Sequence, residues 1–381
     1  MIRTLLPALI VLAGVLLGVG RAQAQNDLPR AIVEAAALQP DQERELERWT
    51  SANMRMLEAD DQGDMKKGRE ALIRPLTNRN ASVSFRLKYS GLLAPTLGRL
   101  AQDANEPRAI NALILCGWIA TTQSALVLDQ MLADPRTAVR YSAAAACGRT
   151  FAAVGGGSPA IAAVDAIGLV DRLGRQLADE TDAFVLDRCV VSLIAAGQVA
   201  RDGFGSLREQ GLSVLATRAG ERLRALPVGP DADKFLPSFV RAGGALRDAA
   251  ANMQFNLHDD NVTRPIVKFG ARAWAHVAQR LEAGQFEQIQ PGDEPQVADA
   301  KRDARKVIVQ LVQVGRGTMF FAATRLDAGS AFEPPEPVEW VAQADAKGDN
   351  QFVRRARELI GPGGQLTKPP FGYPASEFLP R

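Results

Sequence analysis

The sequence predicts an all-α fold: a solenoid of stacked helix pairs, closed by helical caps and followed by a Pro-rich tail. Three observations carry this. Look-alike segments end at Gly117 and Gly148, 31 residues apart, and the same offset pairs Cys116 with Cys147, Ala112 with Ala143, Asp103 with Asp134 and Leu97 with Leu128. A fixed period of roughly 20–50 residues, with small and apolar side chains in register, marks a stacked array. Apolar residues also recur at helical spacing through most of the chain, and Gly, Pro and Asp–Pro signals separate the runs.

The first residues stand apart. Arg3, an apolar run from Leu5 to Gly20 and Ala22-Gln23-Ala24 are the parts of a secretory signal peptide at 1–24, with cleavage expected after Ala24 and a mature start at Gln25. The run falls short of the roughly 20 residues that cross a bilayer, and Gly14, Gly18 and Gly20 weaken it as a span. The rival reading is an uncleaved anchor, the one membrane contact the sequence offers. Arg outnumbers Lys and Ala is abundant, a composition typical of GC-rich bacterial genomes. The expected compartment is then the periplasm or the exterior.

Residues 25–81 predict an N-terminal helical cap, with helices over Asp41–Ala59 and Asp64–Leu76, the second broken near Pro75. Terminal units of an array must show water a polar face and so depart from its pattern. The array itself is expected over 82–226. Its helices are Ser82–Gln102, with a kink or break before Pro95, then Glu106–Ile119, Thr122–Ala133 and Pro135–Cys147. Asp134-Pro135 predicts a helix start, because Asp caps free amides and Pro fits the first helical position. Past the Gly155–Pro159 break come Val164–Ala178, Asp182–Ala196 and Leu207–Leu223, and Gly197 is expected to end a helix as Gly117 and Gly148 do.

A C-terminal helical block, 232–326, holds three further helices: Phe235–Met253, Thr263–Leu281 and Pro295–Val314, with Gly315-Arg316-Gly317 read as a helix stop. It shows no 31-residue register. Residues 327–381 hold eight of the 22 prolines and one predicted helix, Asn350–Ile360. The rest is expected to be a largely irregular tail, extended or disordered and loosely held.

The segment Leu132 to Gly148, Leu-Ala-Asp-Pro-Arg-Thr-Ala-Val-Arg-Tyr-Ser-Ala-Ala-Ala-Ala-Cys-Gly, resembles the HEAT repeat of the short kind also found in phycobilisome lyases. Leu97–Gly117 and Leu177–Gly197 resemble it less closely, and the likeness covers about a third of the chain. The resemblance implies antiparallel helix pairs in a right-handed superhelix and a scaffold for protein–protein contact, without catalysis. It also implies that Asp134 and Arg140, with Asp103, Asp182 and Arg188 at related positions, tie neighbouring repeats together. Ala109 stands where one such Arg belongs.

Charge narrows the partners. Formal net charge is +2, and loss of Arg3 and Arg21 with the leader leaves bases and acids in balance. That is poor footing for nucleic acid, which needs clustered uncompensated Lys and Arg. Cys116 and Cys147 occupy equivalent points on neighbouring helices, about 8–10 Å apart, too far for a disulfide at roughly 4.4–6.8 Å between Cα atoms. Both read as small buried side chains, and Cys189 with them. No sequence motif calls for a cofactor or a metal.

Candidate contact residues are few. Trp118 and Tyr141 either line the superhelix or fill space between repeats. Lys301, Arg302 and Arg305 form a basic cluster on a helix, diluted by Asp299 and Asp303. Trp340 closes the acidic strip Glu333-Pro-Pro-Glu-Pro-Val-Glu-Trp340 and either anchors a partner or packs back. His258, beside Asp259 and Asp260, is the one candidate base or metal ligand; its surroundings suit a polar turn before a helix. His276 is expected on a helix. The function predicted is an exported, non-catalytic scaffold or adaptor that binds a protein or peptide. The alternatives are an enzyme or lyase-like chaperone with a pocket near His258, and a structural envelope component held by an uncleaved N-terminus.

Overall fold

Polar residues at the helix starts set the element boundaries. Ser82 accepts from the Phe85 N–H, Asn105 from Arg108, Thr121 from Ser124, and Asp182 from Phe184 and Val185. Each supplies a partner to an amide that the first turn leaves free. The computed structural model describes residues 27–157, 159–252, 255, 257, 260–286, 289–326, 332–337, 341 and 350–378. The predicted leader, His258, Asp259 and Trp340 lie outside them.

Among the described residues the α-helices are α1 (Arg30–Val33), α2 (Pro40–Leu57), α3 (Gln62–Ile73), α4 (Val83–Ala101), α5 (Glu106–Ile119), α6 (Thr122–Met131) and α7 (Thr137–Gly156). They continue as α8 (Ala163–Asp179), α9 (Ala183–Gly197), α10 (Gly205–Ala225), α11 (Leu236–Ala251), α12 (Asp260–Glu282), α13 (Pro295–Leu326) and α14 (Gln351–Ile360). No strand occurs among these residues; one parallel bridge joins Thr121 and Ala160.

Alternate helices form two layers. One holds α3, α5, α7, α9, α11 and α13; the other holds α2, α4, α6, α8, α10 and α12, with α14 laid against α12. Each helix buries a stripe at helical spacing, as α8 does with Ala166, Leu169, Val170, Leu173 and Leu177. The buried residues form one cluster from Leu28 to Phe378. The protein is an all-α solenoid, and the alternation of layers continues through residues 232–326.

The repeat glycines act differently from their expected role as helix stops. Gly117 lies inside α5 and Gly148 inside α7. A Cβ on Gly117 would sit 2.8 Å from the Ala146 backbone of α7, and one on Gly148 would sit 2.6 Å from Ser192 Oγ of α9. They are the points where neighbouring helices touch. Gly197 does close α9, and a Cβ there would meet Leu212 of α10 at 2.8 Å. The predicted stop at Gly315 is likewise interior to α13: a Cβ there would approach Gly270 O of α12 at 3.0 Å. A helical glycine costs about 1 kcal/mol relative to alanine; here the close packing it permits offsets that cost.

Two prolines also depart from expectation. α4 runs through Pro95 without a break. The carbonyl that a proline leaves unbonded is four residues back, and there Gly91 is exposed and has open space around it, so water can satisfy it. α7 starts at Thr137 instead of Pro135, because the Asp134 carboxylate accepts from the Arg136 backbone N–H (2.8 Å) and from its guanidinium (2.9 Å), making a turn before the helix.

The tail is irregular in backbone but does not trail away. α14 sets Phe352 against Trp274 of α12, ring centroids 5.1 Å apart. Beyond it Leu366, Phe371, Tyr373 and Phe378 are buried. Arg264 of α12 donates to Phe371 O (2.9 Å), and Lys268 pairs with Glu377 (2.8 Å). Prolines keep this segment from regular structure, while its aromatic side chains cover the outer flank of the last helices.

Substituting Gly117→Val is expected to destabilise the fold by about 2 kcal/mol through overpacking against Ala146, measured by urea denaturation. Gly168→Ala, on α8 with open space around it, should be neutral or stabilising by up to about 1 kcal/mol. Equal effects at the two positions would contradict the helix contact described. Deleting residues 362–381 should lower the melting temperature substantially, since each large apolar side chain removed contributes about 1.5–3 kcal/mol of burial. An unchanged melting temperature would count against docking of the tail.

Candidate interaction face

Three adjacent helices of one layer turn a common stripe outward. On α5 it is Ile110, Ile114 and Trp118; on α7, Tyr141, Ala145 and Arg149; on α9, Phe184, Arg188 and Val191. Steps of four residues, with one of three on α9, put each set along one helix flank. Phe184 is 77% exposed, more than any other large apolar side chain described.

Contacts between helices hold the stripes in register. The Arg149 guanidinium lies over the Trp118 ring at 4.5 Å, and that of Arg188 over the Tyr141 ring at 4.9 Å. Arg188 also donates to the Tyr141 hydroxyl (2.6 Å). Arg149 follows Trp118 by 31 residues, so the first pair joins equivalent positions of adjacent repeats. Trp118 and Tyr141 are half-buried, their inner edges on the core and their faces under arginine. Stacking a guanidinium on a ring leaves in-plane N–H groups free for an acceptor; Arg188 gives one of its own to the Tyr141 hydroxyl, and its Nε is buried.

Beside α9 the layer opens. A cleft of about 540 Å³ lies between α9 and α11, lined by Val191, Ile194, Arg241, Gly244, Ala245 and Asp248 among others. Gly244 has nothing within 4 Å of where its Cβ would be, which leaves the cleft clear. In the other layer Val83 and Leu87 of α4, Leu126 of α6 and Val164 of α8 are exposed. These are aliphatics without a directing polar group, an ordinary feature of protein surfaces.

The predicted Asp–Arg ties take another form. Arg140 donates from Nε and Nη2 to the two carboxylate oxygens of Glu180 (2.9 and 3.0 Å), and from Nη1 to the carbonyls of Asp134 and Pro135 (both 3.0 Å). Its carboxylate partner in the next repeat is therefore Glu180, not an aspartate. Burial works to raise the Glu180 carboxyl, but bonds from Arg140, the Asp182 N–H and Gln176 hold it below the usual range. Asp182 caps α9 and Asp103 accepts from the Asn105 N–H (2.8 Å), both local roles. Neighbouring units are instead joined by arginines donating to carbonyls: Arg136 to Asp103 O (2.6 Å), and Arg222 in the last turn of α10 to Glu180 O (2.9 Å).

Two of the three side chains in the basic cluster are ion-paired. Lys301 pairs with Asp293 (3.0 Å), Arg302 with Asp299, and Arg305 covers Phe286 at 4.6 Å. Of the His258 group, only Asp260 is described, paired with Arg264 (2.9 Å). Cys116, Cys147 and Cys189 are free and buried, and burial pushes the Cys116 thiol up to about 12. Among the described residues no group of three His, Cys, Asp or Glu is placed to hold a metal.

No family model matches the chain, and no curated protein matches it. Solved structures with a similar course include a computationally designed armadillo repeat protein for modular peptide recognition (19% identity, 67% of this chain and 98% of that one, TM-score 0.33). An engineered protein (15% identity, 72% and 97%, TM-score 0.36) and Kap121p (14% identity, TM-score 0.39) are similar as well. The match to Kap121p covers 86% of this chain and 33% of that one. None of these values bears on function.

His276, inside α12, is 2% exposed, and its Nε2 has no hydrogen-bond partner. Burial first, then the nearby Arg280 cation, lowers its pKa to about 4, while Asp233 works the other way. The unfolded chain therefore takes up this proton more readily than the folded one. Stability falls as pH drops from about 6.5 toward 4, by up to about 3 kcal/mol at about 1.36 kcal/mol per pKa unit. His276→Leu should flatten that part of the pH–stability curve, followed by denaturation at pH 7, 5.5 and 4.5. A slope identical to that of the unsubstituted chain would refute the assignment.

Proposed function

We propose that this protein is an exported, non-catalytic adaptor that holds a protein or peptide partner on the face formed by α5, α7 and α9. The observation that carries this is the Arg149–Trp118 and Arg188–Tyr141 pairing beside an exposed Phe184 and an open cleft. Aromatic and arginine side chains on a rigid base are what binding hot spots are made of. The close helix contacts at Gly117 and Gly148 support this layer as the inner side of the curve, because a stack bends toward its more closely spaced layer. The HEAT-type pattern of Leu132–Gly148 agrees with a right-handed superhelix of this use. The leader-like Arg3–Ala24 segment supports delivery to the periplasm or exterior.

A photo-crosslinking residue placed at Ala145 or Phe184 is expected to trap a discrete partner band in envelope material, and one at Val164 in the opposite layer is not. Equal adducts from the two layers would defeat the assignment of the face. The same material, sequenced from its N-terminus, should begin at Gln25.

A further inference from the structure

Arginines outnumber acids on the α5–α7–α9 face, and Asp248 at the edge of the adjoining cleft is paired with Arg247 (2.7 Å). α7 has no Asp or Glu along its length, α5 has only Glu106 at its first position, and α9 has only Asp187. Asp187 is engaged by Arg241 (3.1 Å) and Ser238 (3.2 Å). Arg108 and Arg140 are matched by Asp60 and Glu180. That leaves Arg149 and Arg188, which form no ion pair among the described residues and lie flat on Trp118 and Tyr141.

The same layer also shows how it treats an acidic, extended segment of this chain. Residues 332–337, Phe-Glu-Pro-Pro-Glu-Pro, take no helix or strand. Arg316 of α13 holds them, donating from Nε to Pro334 O (2.9 Å) and pairing with Glu333 (3.8 Å) and Glu336 (3.4 Å). One arginine thus reads both the backbone and two flanking carboxylates.

We propose that the partner of the α5–α7–α9 face is an extended acidic peptide segment. Its carboxylates bind Arg149 and Arg188, and an apolar side chain enters the cleft between α9 and α11. This rests on the reading that this face is the docking surface. Guanidinium groups held over rings are oriented before the ligand arrives, so little side-chain freedom is lost on binding. Bonds from arginine to carboxylate are charge-assisted and directional, which selects acidic over neutral segments.

Random short peptides displayed on phage and selected on the immobilised mature chain provide the test. The selected sequences are expected to carry Asp and Glu in clear excess over Lys and Arg, with an apolar residue among them. A synthetic copy of the strongest binder should lose about tenfold or more in affinity on Arg149→Gln/Arg188→Gln, as expected when charge-assisted bonds are removed. It should keep its affinity on Arg175→Gln, an exposed arginine of α8 in the other layer. Arg149→Glu/Arg188→Glu should turn selection toward basic sequences, a gain that a damaged fold cannot produce. Neutral or basic sequences selected on the unsubstituted chain would overturn the acidic partner and leave the face standing. Acidic binders indifferent to both double substitutions would overturn the site. No enrichment over bare support would overturn the proposal and the docking surface together.

Discussion

Close approach between neighbouring helices of one layer is the constraint on which the rest of this solenoid depends. A Cβ on Gly117 would press on the Ala146 backbone, and one on Gly148 on the Ser192 side chain, each within 3 Å. The gain is dispersion over the length of two helices, which exceeds what glycine loses in helix propensity. The same close spacing lets an arginine on one helix reach an aromatic ring on the one before it. The structural contact and the candidate binding surface are thus two sides of one layer.

Charge is used in a second, separate way at the helix ends. Arg136 and Arg222 donate to loop carbonyls, and Arg140 forms a two-point bond with a buried Glu180. A carboxylate taken out of water must have its acceptor sites filled, and Glu180 is supplied by Arg140, Gln176 and two backbone amides. These bonds tie the ends of successive helices together. Of the two arginines on α7 they engage Arg140, whereas Arg149 of α7 and Arg188 of α9 lie over aromatic rings and form no ion pair among the described residues.

Most helix boundaries were legible from pattern and caps because both are local: an apolar stripe and a capping Ser, Asn or Asp act within a turn or two of the chain. The errors cluster where a local signal met a distant partner. Gly148 and Gly315 read as stops, yet each is held inside a helix by a neighbour that needs the room. The tail read as loose because prolines dominate its composition, whereas Phe371, Tyr373 and Phe378 find cover on α12. Trp118 and Tyr141 could be singled out by type, and Arg149 was available through its 31-residue offset from Trp118. Nothing along the chain marked Glu180 or Phe184.

The sequence by itself determined the helical class, the 31-residue offset between α5 and α7 and most helix starts, since these depend on local patterns along the chain. Which arginine meets which carboxylate or ring, and which helix flank is left facing water, only the stacked layers decided. Those pairings join residues some 30 to 50 positions apart, and their geometry is set by interhelix distances that no local pattern encodes.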